Sequence, residues 1–460
     1  MAYLPNSEDE RAAMLEAVGA TSADGLFASV PDQLLHPPID LPGPLAEQDL
    51  VAVLEHLARA DRPLTAYDSF LGAGVYQRFI PAIVPAAVSR PEFYTAYTPY
   101  QAEASQGTLQ SIFEFQSMIC ALTGMDVANA SMYDGATAAA EAMVMAVAAR
   151  DRDRFAVAAT IHPETLRVLR TYAKGRRIEI DVIPEHAGRI TRDAVADAVT
   201  NDTAGVLLAQ PSFVGTVDDL APLVDVAHDR GALALCSADL IACALLAAPG
   251  DAGFDVVVGD GQPLGIPVSF GGPHLGYYAA REALVRRMPG RLAGMTVDGD
   301  GRRAYTLTLQ AREQHIRRER ATSNICTNHA LMALAATVYM AHMGAGGLRH
   351  IATVSAQRAH HLATRVQAES SFRLKHPDTP FLWEFTLDCA DAASFAAAMR
   401  ERGIIAGLPL GRVDSARSAE LLVCCTELTS PGAIDRYVGA AADLSEAHAA
   451  RREPVAVEAS

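Results

Sequence analysis

From residue 154 to residue 260 the chain alternates two kinds of hydrophobic pattern. Short, nearly unbroken apolar runs rich in β-branched residues, bounded by glycine or charge, predict strands at 155–161, 178–183, 204–209, 232–236 and 254–258. Between most of them apolar residues recur every three or four positions, which predicts helices at 163–173, 191–200 and 217–230. Strands that are apolar on both faces and alternate with amphipathic helices make a mostly parallel sheet covered on both sides. The expected class is therefore α/β.

The flanks are patterned differently. Ser7-x-x-Glu10 is a capping box that opens a short helix. Residues 31–46 are proline-rich and predict an extended strap, and Leu50, Val53, Leu54 and Leu57 share one face of a helix over 50–60. Such an arm either wraps a partner subunit or packs on its own large domain. Phe70 to Gly74 holds a Gly-x-Gly that follows no clear strand and lacks a third glycine, so it is a turn and not a dinucleotide loop. Ile112, Phe115, Ile119 and Leu122 line a helix over 108–123 that Gly124 caps, and Asp134-Gly135-Ala136-Thr137 opens an Ala-rich helix over 136–149. Asp298-Gly-Asp300-Gly resembles a calcium loop, but Arg302 stands at the third ligand position and the closing Glu is missing, which leaves a hairpin turn. An apolar helix over 328–343 ends at Gly344 to Gly347. Helix 348–370, a strand, helix 391–402 and strand 421–426 follow, and the tail from 450 is frayed. The implied division is an N-terminal arm (1–65), a large domain (66–335) and a small α+β domain (336–460).

Composition narrows the function. A chain of 460 residues, half of them apolar, exceeds what one core supports. The net charge of −16 argues against nucleic-acid binding, which needs a basic surface. Seven cysteines, an odd number with no Cys-x-x-Cys, imply free thiols in a reducing compartment and no metal site. Residues 1–14 carry neither a basic nor an apolar leader segment, and no charge-free apolar run of about eighteen residues is expected to span a membrane. These features place the chain in the cytoplasm.

The candidate chemistry lies at the ends of the last two strands. Ala232 to Cys236 delivers Asp239, and Val256 to Val258 runs into a loop dense in Gly and Pro that extends to His274. An Asp after one strand and a Gly-rich loop after the next is the layout of pyridoxal phosphate (PLP) enzymes, where the Asp pairs with the pyridinium nitrogen and a lysine on the loop forms the Schiff base. Here that lysine is missing. The chain has two lysines, Lys174 before a Gly at a helix end and Lys375 in a polar turn, and arginine stays protonated and cannot replace them. Gly135 and Thr137, at a helix start after a small-residue loop, read as a phosphate seat or as a plain helix start. Tyr94, Tyr97 and Tyr100 cluster around Pro99 with no regular period, which marks a contact surface or pocket wall. Arg312 to Arg320 reads as a solvated or interface-facing segment with local ion pairs.

Four stretches carry a resemblance: AYTPYQAEASQG (96–107), GMDVANASMYDGATAAAEA (124–142), GIPVSFGGPHLGYYAARE (265–282) and REQHIRRERATSNICT (312–327). With them the chain resembles the alpha subunits (subunit 1) of two-subunit glycine decarboxylases, the P-proteins of the glycine cleavage system. The resemblance implies a fold-type I PLP-dependent transferase-like fold. It implies a beta subunit that carries the Schiff-base lysine at the place held here by Gln262, so that PLP is bound covalently by the partner in an αβ or α2β2 assembly. Glycine is then decarboxylated with release of CO2, and its aminomethyl group passes to the lipoyl arm of an H-protein. Tyr97, Tyr100, Gln101 and Glu103 would face that site across the subunit interface, none of them sufficient alone. Thr322, Ser323 and Asn324 would either reach the partner's cofactor phosphate or cap the helix that follows. Gly135, Thr137, Asp239, Gln262 and His274 would line a vestigial pocket. Two other readings remain: a non-catalytic scaffold or regulator, and a lysine-free enzyme of the pyridoxamine phosphate type with a histidine base, for which His274 is the one nearby candidate.

Overall fold

The computed structural model describes residues 5–321, 323, 325 and 327–452, the stretch 446–452 as backbone. It divides into two compact units, Met1–Pro63 and Leu64–Ser460.

In the first unit Ser7 caps the helix Glu8–Ala17 with the full reciprocal capping box. A second helix, Glu47–Ala58, follows the proline-rich strap. Leu50, Val53, Leu54 and Leu57 are 44–60 % exposed, and neither helix buries a residue. Among the described residues of this unit none is buried.

The second unit is built on a seven-stranded sheet: β1 (Val127–Ala128), β2 (Arg154–Ala158), β3 (Glu179–Ile183), β4 (Thr203–Gln210), β5 (Leu233–Ala238), β6 (Val256–Asp260) and β7 (Gly276–Ala280). The order is β1-β7-β6-β5-β4-β2-β3. The five strands from β6 to β3 are parallel, while β7 runs antiparallel to β6 and β1 antiparallel to β7. The register explains the unbroken apolar runs. Val157, Leu207, Leu235, Val256 and Ala280 form one row across the sheet and pack on one face, beneath the helix Gly135–Arg150. The adjacent row, Leu208, Cys236, Val257 and Ala279, packs on the other face. With both faces covered, period-two alternation disappears from the sequence. Each fully buried Val or Leu in these rows contributes about 1.5–3 kcal/mol of transfer free energy.

Five helices that accompany the sheet lie at Gln106–Thr123, Gly135–Arg150, Pro163–Arg176, Arg192–Ala198 and Ala221–Asp229, close to their expected places. Leu292–Val297 and Arg303–Thr308 form the expected hairpin. Among the elements that the sequence pattern did not give are β7, which follows directly on the Gly- and Pro-rich loop, and the helix Pro431–Arg452. The tail beyond 452 lies outside the described residues.

Helix Ala330–Glu369 is broken once, where Gly344 adopts φ 59° and ψ 178°. Residues 330–348 contain no Asp, Glu, Lys or Arg, and the helix is long and apolar enough by composition to cross a membrane, which corrects the expectation that no such run exists. In the fold Ala333, Ala336, Tyr339 and Met340 belong to the main core.

The C-terminal part adds an antiparallel four-stranded sheet, in the order Arg373–Leu374, Glu384–Asp388, Glu420–Cys424, Leu408–Pro409. The segment 68–78 ties it to the large sheet. Asp68 and Ser69 pair with Ile404 and Ile405, and Cys424 N–H donates to Phe70 O at 2.9 Å. Arg78, its side chain 2 % exposed, donates to Glu427 Oε2 at 2.7 Å and to Ser355 Oγ at 3.2 Å. Its guanidinium lies 5.1 Å from the ring centre of the buried Trp383.

Candidate cofactor cavity and the tyrosine loop

Parallel sheets gather their chemistry at the carboxyl ends of the strands, and a cavity of about 290 Å3 opens there. Its wall includes Asp239 after β5, Asp260 at the end of β6, Asp134 and Gly135 at the start of helix Gly135–Arg150, His162, His274 and Glu384. Of the residues expected there, Gly135, Asp239 and His274 line the cavity. Thr137 stands beside it, where its N–H donates to Asp134 Oδ1 at 2.8 Å and its hydroxyl is the other half of a capping box.

Gln262 is turned away. Its side chain is held by Tyr76 and Ile266: Nε2 donates to Tyr76 O at 2.9 Å and to Ile266 O at 2.8 Å, and Oε1 accepts from Tyr76 N–H at 2.9 Å. The residue is 1 % exposed and clips the 68–78 segment to the loop after β6.

Asp239 Oδ1 accepts from Ile241 N–H at 2.7 Å and Ala242 N–H at 3.2 Å. Burial raises its pKa above the ordinary Asp value, opposed by the positive charge of Arg78 and by those two amides. Asp260 is raised in the same way by burial, against the amide of Gln262, the imidazole of His274 and the amide of Gly135. Its Oδ2 lies 3.8 Å from His274 Nδ1, while His274 Nε2 is buried with no hydrogen-bond partner.

Glu384 enters from the small sheet. Its Oε2 accepts from the Tyr76 hydroxyl at 2.7 Å and its Oε1 from Ala73 N–H at 2.6 Å. Burial pushes its pKa up to about 7. His162 Nδ1 accepts from Glu164 N–H at 3.1 Å and its Nε2 lies 3.1 Å from Ala73 O, so the ring is a neutral tautomer that caps a helix. Burial lowers its pKa accordingly.

These residues do not fit PLP. No lysine reaches the cavity: Lys174 sits in the last turn of helix Pro163–Arg176, and Lys375 lies 3.5 Å from Glu420 in the small sheet. The helix-start amide of Gly135 already donates to Asp260 Oδ2, at 3.1 Å.

The tyrosine loop is a separate surface. Tyr94, Tyr97 and Tyr100 are 68 %, 81 % and 51 % exposed, and Gln101 and Glu103 are exposed beside them. Tyr100 is anchored by a group that sequence reading missed: buried Arg291 donates from Nη2 to its hydroxyl at 3.0 Å, and Arg291 Nε lies 3.5 Å from Glu313 Oε2. The His315 ring meets Tyr100 edge-on at 5.9 Å. The Arg312–Arg320 segment therefore buttresses the tyrosine loop through its first residues, while 314–320 are exposed. Ser323 is buried, with its side chain against Glu141 and its Oγ accepting from Ile325 N–H at 3.1 Å. Thr322 and Asn324 lie outside the described residues. Among the described residues no three metal-ligating side chains converge, and the six cysteines are free.

Glu384, Tyr76, Arg78 and His162 were not found in the sequence as parts of this site. They lie far from Asp239 along the chain and carry no local motif; only the fold brings them together.

A family model described as "Glycine cleavage system P-protein" matches residues 1–438. The "probable glycine dehydrogenase (decarboxylating) subunit 1" of Chloroherpeton thalassium is 46 % identical over 446 residues, covering 96 % of this chain and 100 % of that protein. Its namesake from Moorella thermoacetica is 47 % identical over 442 residues, with 96 % and 99 % covered. A crystal structure of an inhibitor-bound glycine decarboxylase (P-protein) superposes with a TM-score of 0.88 at 41 % identity, over 96 % of this chain and 100 % of that one. A sphingosine-1-phosphate lyase from Burkholderia pseudomallei, at 17 % identity and TM-score 0.62 over 92 % and 96 %, shares the fold alone, that of fold-type I PLP-dependent enzymes. By sequence and by structure, this chain belongs to the glycine cleavage system P-protein family, with the subunit 1 chains as its relatives.

Proposed function

We propose that this chain is the lysine-free alpha subunit of a heteromeric glycine decarboxylase. A beta subunit holds PLP covalently, in an αβ or α2β2 assembly, and the pair releases CO2 from glycine and hands the aminomethyl group to a lipoylated H-protein. When bound to the beta subunit, the cofactor serves as the electron sink for decarboxylation. The observation that carries this reading is a cavity at the strand ends that no lysine reaches, where the side chain at the lysine position is a buried glutamine fastened to Tyr76.

The chain's own contribution is the exposed loop with Tyr97, Tyr100, Gln101 and Glu103, supported from behind by Arg291. Its hydroxyl, amide and carboxylate groups present hydrogen-bond donors and acceptors to glycine at the shared site. Thr322 and Asn324, with buried Ser323 between them, belong to the segment that approaches the partner's cofactor. The first unit leaves Leu50, Leu54 and Leu57 exposed. The large and small domains divide at 335/336, in the long helix shortly before its break at Gly344. The assembly works in the cytoplasm.

A lysine-free enzyme with His274 as base would need the seat that Asp260 occupies, so that reading has less support. The test is exchange of labelled bicarbonate into the carboxyl of glycine, with PLP and H-protein present. Activity only when this chain and the lysine-bearing subunit are mixed is the expected result. Activity of this chain alone would overturn the reading, and a stable but inactive mixture would leave a scaffold.

A further inference from the structure

A helix start that faces a cavity attracts an anion, because its first N–H groups are unpaired and the dipole adds positive potential. The sixteen-residue helix Gly135–Arg150 starts at the cavity in this way. Two of its first amides are already engaged. Thr137 N–H donates to Asp134 Oδ1 at 2.8 Å and Gly135 N–H to Asp260 Oδ2 at 3.1 Å.

Asp260 is not a loose neighbour. Gln262 N–H fixes its Oδ1 at 2.9 Å, and His274 stands 3.8 Å from its Oδ2. A Cβ on Gly135 would fall 2.8 Å from Asp260 N, so helix start and strand end are in backbone contact with nothing between them. A phosphate group entering here would have to displace a tethered carboxylate and would meet Asp134 and Asp260 together, where low dielectric strengthens the repulsion.

We infer that the Asp260 carboxylate is the built-in anion of this cavity, and that it excludes phosphorylated ligands from this chain independently of the missing lysine. Asp260 is then the specificity-determining residue of the cavity. Supplying a lysine at position 262 does not by itself create a cofactor site.

The test uses the full chain and two probes, inorganic phosphate by equilibrium dialysis and PLP by covalent labelling after borohydride reduction. The wild-type chain and Gln262→Lys are expected to bind no phosphate, and Gln262→Lys to carry no label at position 262 above the background at Lys174 and Lys375. Asp260→Ser should gain phosphate affinity by roughly tenfold or more, because one like charge leaves the seat and two amides are freed. Asp260→Ser with Gln262→Lys should be labelled by PLP at position 262. Melting curves and circular dichroism report whether each variant is folded. Gln262 holds the 68–78 segment, so if its variants fail to fold, Asp260→Ser and the milder Asp260→Asn decide with phosphate alone. Phosphate binding by the wild type, labelling of Gln262→Lys alone at position 262, or a folded Asp260→Ser with no gain each overturns the inference. No partner subunit is needed, so this test and the bicarbonate exchange can fail separately.

Discussion

The Tyr76 hydroxyl donates to Glu384 Oε2 at 2.7 Å across a cavity wall, joining residues 308 positions apart. The other oxygen of the same carboxylate accepts from Ala73 N–H at 2.6 Å. One carboxylate thus fastens the first long strand of the small sheet to the 68–78 segment, and its protonation is coupled to that seam.

Glu384 is expected to make stability depend on pH. Its folded pKa is raised from 4.5 to about 7, so between these values the folded chain binds a proton that the unfolded chain has released. The stabilisation is greatest below 4.5, falls as pH rises through the window, and is gone above about 7. The slope from this one group reaches at most about 1.4 kcal/mol per pH unit. In Glu384→Gln, chemical denaturation at a series of pH values should show a flatter curve over that window. An unchanged slope would remove Glu384 as its source.

Removing Arg78 should destabilise the chain by about 3–5 kcal/mol, because Glu427, its side chain 11 % exposed, would lose its partner. Arg78→Met with Glu427→Gln should recover a large part of that loss, since neither charge is then buried alone. A double-mutant cycle in urea measures the coupling, and simple additivity would show the pair to be energetically independent.

Tyr97 and Tyr100 should behave differently. Tyr97 is 81 % exposed, so Tyr97→Phe should shift stability by less than about 0.5 kcal/mol while slowing decarboxylation in the assembled complex. Tyr100→Phe removes the acceptor of Arg291 and should also lower stability by about 1–3 kcal/mol. Thermal melts of the free chain and turnover of the complex separate the two effects. Unchanged turnover of correctly assembled Tyr97→Phe would exclude a role at the shared site.

Gly124→Ala should lower stability by about 1–2 kcal/mol. Gly124 ends helix Gln106–Thr123 with φ +69°, and an added Cβ would lie 3.1 Å from that of Ala248. An unaffected melting temperature would mean that the turn relaxes freely.

The sheet was legible wherever one physical rule dominated. Parallel strands buried on both faces leave continuous apolar runs, so β2 to β6 lie within a few residues of their expected places. β7 was hidden because it follows directly on a loop dense in Gly and Pro, with the cis-proline turn at Gly272-Pro273, although Tyr277 to Ala280 are fully buried. The helix Pro431–Arg452 has a weak apolar stripe diluted by alanine, and periodicity had little to detect. The cavity was legible in its local parts, the Asp after one strand and the helix start at Gly135. Its remote parts were not. Glu384 and Arg78 reach the seam from opposite ends of the chain, and no spacing rule links position 78 to 427 or 76 to 384.

The chain holds a single tryptophan, and it sits at that seam. Trp383 is 1 % exposed, with the Arg78 guanidinium against its ring and Cys425 N–H donating to its carbonyl at 2.9 Å. Intrinsic fluorescence of this subunit is therefore a one-site optical probe. Its indole emission reports whether the small sheet and the 68–78 segment are joined, unmixed with signals from the rest of the molecule.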